Sequence, residues 1–256
     1  MAFEIPESKK EILKNKLNFI YDQKTAEEFY PELEKFILDF AKKHPELRSN
    51  DQNSARLSEK DSVVICYGDH IQAEAENPLQ TLNDFFTNNL EESISTVHIL
   101  PFFPYSSDDG FSVIDYKAVN PDFGRWSDVE DIRANFSLMF DAVINHISAE
   151  SEWFEKYKKQ QGKYQDYFIE ADPDKDYSKV TRPRAKPLLT EVETAAGKKH
   201  VWTTFSPDQI DLNYESTDLM LDIIDVLLFY AAQGAEIIRL DAIAYLWKEL
   251  GTSCVH

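Results

Sequence analysis

The chain has 256 residues, 43% of them hydrophobic, enough for one large domain or two small ones with a sizeable core. Lys and Arg number 27 against 46 Asp and Glu, a formal net charge of -19 at pH 7, so the mean field repels nucleic acid and anionic membrane surfaces, and an anionic substrate needs a local basic pocket. No apolar stretch reaches the ~20 residues of a bilayer span, Cys66 and Cys254 lack metal-ligand spacing, and no N-terminal run resembles a signal peptide, so a cytoplasmic protein with reduced thiols is expected.

Residues 1–60 read as a helical extension followed by a linker. A helix is expected over Ser8 to Ile20, and Thr25-Ala-Glu-Glu28 fits a capping box opening a second, on which Phe29, Leu33, Phe36, Ile37 and Phe40 share one face. That stripe reads as packing, the polar segment His44 to Lys60 as the linker, and nothing here carries chemistry. From residue 61 the pattern changes. Ser62 to Tyr67, Val97 to Leu100, Leu138 to Ile144 and Ala235 to Leu240 are short apolar runs expected as strands. Helical periodicity lies between them at Leu79 to Glu92, Ser127 to Asn135 and Thr217 to Ala232, the last closing on Gly234. Such alternation means parallel βα units in an α/β fold. The connection from His146 to Asp211 far exceeds the usual 2 to 6 residues of a βα loop and is expected to be an inserted subdomain or lid over 147–212.

Polar residues cluster at three strand ends. After the second strand comes the segment from Pro101 to Tyr116, the third ends on Asn145 and His146, and the fourth on Asp241. Carboxylates, amides, imidazole and aromatic faces together suit a hydroxyl-rich ligand. Side chains alternate along a strand, so Arg239 and Asp241 face the same way, inward in a barrel, with Asp241 at the rim where barrel enzymes keep their chemistry. The competing readings are a structural Arg-Asp ion pair, a structural His146, and Asp141 as a buried hydrogen-bonding anchor.

Asp141 to Ser148 (DAVINHIS), Gly234 to Tyr245 (GAEIIRLDAIAY) and Gly110 to Tyr116 (GFSVIDY) resemble the short sequence regions of the α-amylase superfamily, glycoside hydrolase family 13. Thr181 to Thr190, Trp202 to Tyr214 and Lys248 to His256 are similar to its sucrose phosphorylase branch in particular, and the helical extension to the glucosylglycerate-type members ahead of the sucrose phosphorylases. The resemblance covers Asp61 to His256 and implies a (β/α)8 TIM barrel, of which four βα units lie in this sequence. It implies a retaining glucosyl transfer, in which an α-glucoside such as glucosylglycerate or sucrose is cleaved by phosphate to give α-glucose 1-phosphate. Asp241 would be the nucleophile and Arg239 would keep its carboxylate ionised and oriented. Asp108 and His146 would bind glucosyl hydroxyls, Phe111 and Phe205 would line the apolar face, and Gln209 and Tyr245 would add contacts. Arg184, with Arg182, would sit on the acceptor side; without the resemblance both read as solvated loop arginines.

The same resemblance implies no cofactor and no metal, with Asn145 ordering the His146 loop where many amylases use it for calcium. It also implies that the general acid and base glutamate and a further aspartate follow strands beyond His256, so residues 1–256 alone are expected to be inactive and to expose open strand edges that favour aggregation or a homodimer. The alternatives are a related hydrolase or transglucosidase, distinguished by phosphate dependence, and a noncatalytic sugar-binding remnant.

Overall fold

The computed structural model describes residues 3–47 and 58–256, so most of the expected linker, 48–57, lies outside the described residues. The chain divides into two compact units, Met1–Arg56 and Leu57–His256.

The first unit contains helices α1 (Glu7–Ile20) and α2 (Gln23–Lys43). The second helix does not start at a Thr25 capping box. Asp22 is its N-cap, and its carboxylate accepts from the Thr25 backbone N–H at 3.0 Å and from the Thr25 hydroxyl at 2.7 Å. Thr25 therefore donates to a cap one turn earlier, because an aspartate in extended conformation satisfies the orphan N–H groups first. Phe29 and Leu33 are buried with Ala26 and Tyr30, whereas Phe36, Ile37 and Phe40 are only partly covered. At the start of the expected linker, Pro45–Leu47 form one turn of 3-10 helix.

In the second unit, strands β1 (Val63–Cys66), β2 (Thr96–Ile99), β3 (Ser137–Val143) and β8 (Ala235–Asp241) form a parallel sheet in the order β1-β2-β3-β8. Helices α3 (Pro78–Asn89), α4 (Trp126–Arg133) and α6 (Thr217–Ala232) follow β1, β2 and the insertion, so the α/β expectation and the first part of a barrel wall are met. Leu79, Val97, Ile99, Ile132 and Leu138 are fully buried where these helices pack on the sheet. The ends of α3 and α6 are set by chemistry local to the chain. Asn77 and Ser216 accept from backbone N–H groups of the first turn, and Gly234, at φ +98°, ends α6 in the left-handed conformation that favours glycine. On the edge strand β1, Val63 and Ile65 are 46% and 61% exposed.

The long connection has its own structure. Strand β4 (His146–Ser148) pairs antiparallel with β7 (Gln209–Asp211), and β5 (Leu189–Thr194) with β6 (Gly197–Trp202), while α5 (Glu152–Lys158) lies between β4 and β5 in sequence. The β4–β7 register sets His146 opposite Asp211 and Ser148 opposite Gln209, so both ends of the insertion are tied beside the end of β3.

Candidate active site

Parallel pairing of β3 with β8 puts Asp141 opposite Arg239 and Val143 opposite Asp241. Arg239 and Asp241 do face the same way: the guanidinium Nη2 donates to Asp241 Oδ1 at 3.1 Å. Its shorter bond runs elsewhere, from Nη1 to Asp141 Oδ1 at 2.6 Å. Asp141 is completely buried and also lies 2.6 Å, through Oδ2, from His98 Nε2, so it is a hydrogen-bonded anchor shared by β2 and β8. Burial pushes the Asp241 carboxyl above its usual 3.8, against the pull of Arg239 and then His146, with Asp141 and Asp108 pushing the same way as burial. Arg239 orients this carboxylate but does not by itself offset its desolvation.

The strand ends beside Asp241 gather most of the other expected residues. His146 is 2% exposed. Its Nδ1 is 3.2 Å from Asn145 Nδ2, a donor, and its Nε2 is 2.9 Å from the Phe111 carbonyl, an acceptor, which assigns the proton to Nε2. Burial lowers the imidazole pKa, and the ring is read as neutral. Gln209 Nε2 donates to Asp108 Oδ2 at 3.0 Å and to the Phe111 carbonyl at 3.1 Å. It is also 3.2 Å from His146 Nε2, a contact between two N–H groups that share one carbonyl rather than a hydrogen bond. The Gln209 Oε1 is buried with no partner among the described residues. Phe205 packs 5.1 Å from the His146 ring and edge-on to Tyr245 at 5.4 Å, and the Arg239 guanidinium stands 5.8 Å from the Phe111 ring centroid.

Arg184 reaches this cluster from the insertion. Its Nη2 lies 3.2 Å from both Asp108 oxygens, while Arg182 donates to the Arg184 carbonyl at 3.3 Å. Arg184 is thus neither unpaired nor simply solvated; it spans from the insertion to the Asp108 carboxylate. The turn that presents Asp108 is strained, with Asp108 and Asp109 at φ +57° and +49° followed by Gly110 at +100°. A Cβ on Gly110 would stand 2.4 Å from the Pro101 carbonyl oxygen. Gly110→Ala is therefore expected to lose at least ~2 kcal/mol of stability, measurable as a lower melting temperature, and to displace the Phe111 carbonyl that His146 and Gln209 share.

Three residues of the site region escaped sequence reasoning: His98, Asp211 and Lys248. The Lys248 ammonium, with its side chain 4% exposed, lies 2.7 Å from Asp211 Oδ2 and 3.0 Å from Asn145 Oδ1 and also donates to the Tyr245 carbonyl. Asn145 has its oxygen fixed on Lys248 and its nitrogen facing His146 and Asp211. No local pattern announces these pairings. A cavity of about 690 Å³ beside α6, lined by Trp153, Tyr164, Asp222 and Asp225 among others, contains none of the rim residues. No helix among the described residues is long and apolar enough to cross a membrane.

Comparison with known proteins matches residues 91–253 to the family described as Alpha amylase, catalytic domain. The chain is similar to the glucosylglycerate phosphorylase of Spirochaeta thermophila, 50% identical over 94% of this chain and 41% of that protein, and to that of Allomeiothermus silvanus, 53% identical over 78% and 36%. Among solved structures it resembles the sucrose 6F-phosphate phosphorylase of Thermoanaerobacter thermosaccharolyticum, with a TM-score of 0.71 and 30% identity over 79% of this chain and 44% of that one. The chain thus spans well under half the length of the relatives it matches.

Proposed function

Because the chain belongs to the alpha-amylase catalytic-domain family, we propose that residues 61–256 form the glucosyl-binding part of a retaining sugar phosphorylase, with residues 147–212 as its lid subdomain. The names of its relatives support glucosylglycerate, ahead of sucrose, as the α-glucoside. The observation that carries this reading is the Asp241 carboxylate, oriented by Arg239 at the end of an inner-wall strand beside Asp108, His146 and Gln209.

In this reaction an Asp241 oxygen attacks the anomeric carbon, the bond from that carbon to the acceptor oxygen breaks, and the acceptor leaves with a proton. A phosphate oxygen then attacks the same carbon from the other face, the bond to Asp241 breaks, and α-glucose 1-phosphate is released. Asp108 and His146 supply hydroxyl contacts, Gln209 holds Asp108 through its amide N–H, and Phe111, Phe205 and Tyr245 are apolar walls. Arg184 and Arg182 are the cations that suit phosphate or the glycerate carboxylate, the local basic feature an acidic protein needs.

Proton delivery requires a second carboxyl ~5 to 5.5 Å from the nucleophile. The two carboxylates that bear most on Asp241 among the described residues are already engaged: Asp141 between His98 and Arg239, and Asp108 by Arg184 and Gln209. A polypeptide limited to residues 1–256 is accordingly expected to release no glucose 1-phosphate, whereas a full-length chain carrying them does so only with phosphate. Product formation by the full-length chain at the same rate without phosphate would instead identify a hydrolase or transglucosidase.

A further inference from the structure

We infer that His98 is a positioning residue for the nucleophile, acting through Asp141 and Arg239 to hold the Asp241 carboxylate in place; this rests on the glucosyl-transfer reading above. His98 lies in the middle of β2, a strand buried at every position, and is itself 2% exposed. A histidine there costs more than a leucine would, since its Nδ1 is buried with no hydrogen-bond partner among the described residues. What offsets that cost is one bond, Nε2 to Asp141 Oδ2 at 2.6 Å.

Asp141 is where the consequence is transmitted. Its two oxygens are divided between two donors, Oδ2 to His98 and Oδ1 to Arg239 Nη1 at 2.6 Å, and it is wholly buried. While His98 occupies Oδ2, the guanidinium can give Asp141 only one N–H and keeps Nη2 for Asp241 at 3.1 Å. If His98 cannot donate, Oδ2 becomes a buried unpaired acceptor, and the planar guanidinium, whose geometry suits a two-pronged grip on one carboxylate, turns both nitrogens toward Asp141. Asp241 then loses the group that aims it. Three neighbouring strands, β2, β3 and β8, thus form a relay of four side chains from the core to the reacting atom.

The charged and titratable groups that bear on Asp241 are Arg239, His146, Asp141 and Asp108; Tyr67, nearer Asp109 and Asp108, and Tyr230 also feel Asp141, and the Cys66 thiol lies against the His98 backbone carbonyl. Arg239 exerts the largest downward pull on the Asp241 carboxyl, so weakening that contact raises it further. Attack needs the ionised form, and activity is lost as pH falls through that value, so the acid limb of kcat moves to higher pH.

The test compares His98→Leu with His98→Gln, whose amide N–H can still donate to Asp141, in the full-length enzyme. His98→Leu is expected to lower kcat by up to about a hundredfold, the cost of misplacing a reacting group by ~1 Å, with KM for the glucoside little changed and the acid limb shifted upward; His98→Gln restores most of both. A His98→Leu enzyme with unaltered kcat and pH profile overturns the proposal, as does equal loss in Leu and Gln variants accompanied by a fall in melting temperature. If instead the wild-type enzyme shows no phosphate-dependent transfer, it is the functional reading that fails. The relay is then read without turnover by carboxyl-carbon NMR titration of Asp241: an upward shift in His98→Leu supports it and an unchanged titration refutes it.

Discussion

On the glucosyl-transfer proposal, Asp241→Asn is expected to lower phosphate-dependent glucosyl transfer by ~10⁴-fold or more, the scale on which removing a covalent nucleophile acts. The amide keeps the shape of the side chain and a hydrogen-bonding oxygen for Arg239, so what disappears is the anion proposed to attack the sugar. Stability should move the other way. Burial holds the Asp241 carboxyl above its usual 3.8, so the folded protein binds that proton more tightly than the unfolded chain does. The fold is therefore destabilised as pH rises through the elevated value and the group ionises in its partly desolvated place. A neutral asparagine removes that penalty at neutral pH, and the melting temperature should hold or rise while turnover vanishes. This opposition separates the nucleophile from the structural alternative. An Arg239–Asp241 pair kept only for stability would show the reverse, a lower melting temperature with activity retained once folded.

The sheet strands were legible because each is a short apolar run between helical periods, and α6 was legible to the residue because Ser216 and Gly234 mark its ends chemically. The strands of the insertion were not. Leu189–Thr194 and Gly197–Trp202 form a surface hairpin of mixed polarity, and β4 and β7 are three residues each and exist only by pairing with one another. Thr25 misled because its sequence context fits a cap, while Asp22, three residues earlier, does the capping. The same division runs through the candidate site. Asp241, Arg239 and His146 sit at strand ends, so a strand pattern brings them to one rim, while Asp108, in the loop after β2, was singled out only by the family resemblance. His98 with Asp141, and Lys248 with Asn145, depend on register between segments 43 and 103 residues apart, which no local periodicity encodes.

Lys248→Met is expected to destabilise the protein by ~3–5 kcal/mol, the range for removing one partner of a buried ion pair, which for a unit of this size is a fall of roughly 6–20 °C in melting temperature. Asp211 is fully buried and accepts from the Thr204 backbone N–H at 2.9 Å, the Thr204 hydroxyl at 2.5 Å, the Asn145 amide at 3.3 Å and the Lys248 ammonium at 2.7 Å. Only the last of these is a cation, so methionine, which matches the stem in length, leaves a desolvated carboxylate with neutral donors alone. The change also reaches the site. Lys248 holds the Asn145 oxygen at 3.0 Å and so fixes which end of that amide faces His146. Without the ammonium the Asn145 oxygen loses its partner while its nitrogen keeps only Asp211 and His146 Nδ1, so the side chain that supports the imidazole is held less firmly. The affinity for the glucosyl unit should therefore weaken together with stability, read as a higher KM at temperatures where the variant is still folded. A fall of less than about 2 °C, below what even ~1 kcal/mol would give, would mean that the neutral donors around Asp211 suffice and that the ammonium is not what holds the root of the insertion against β3.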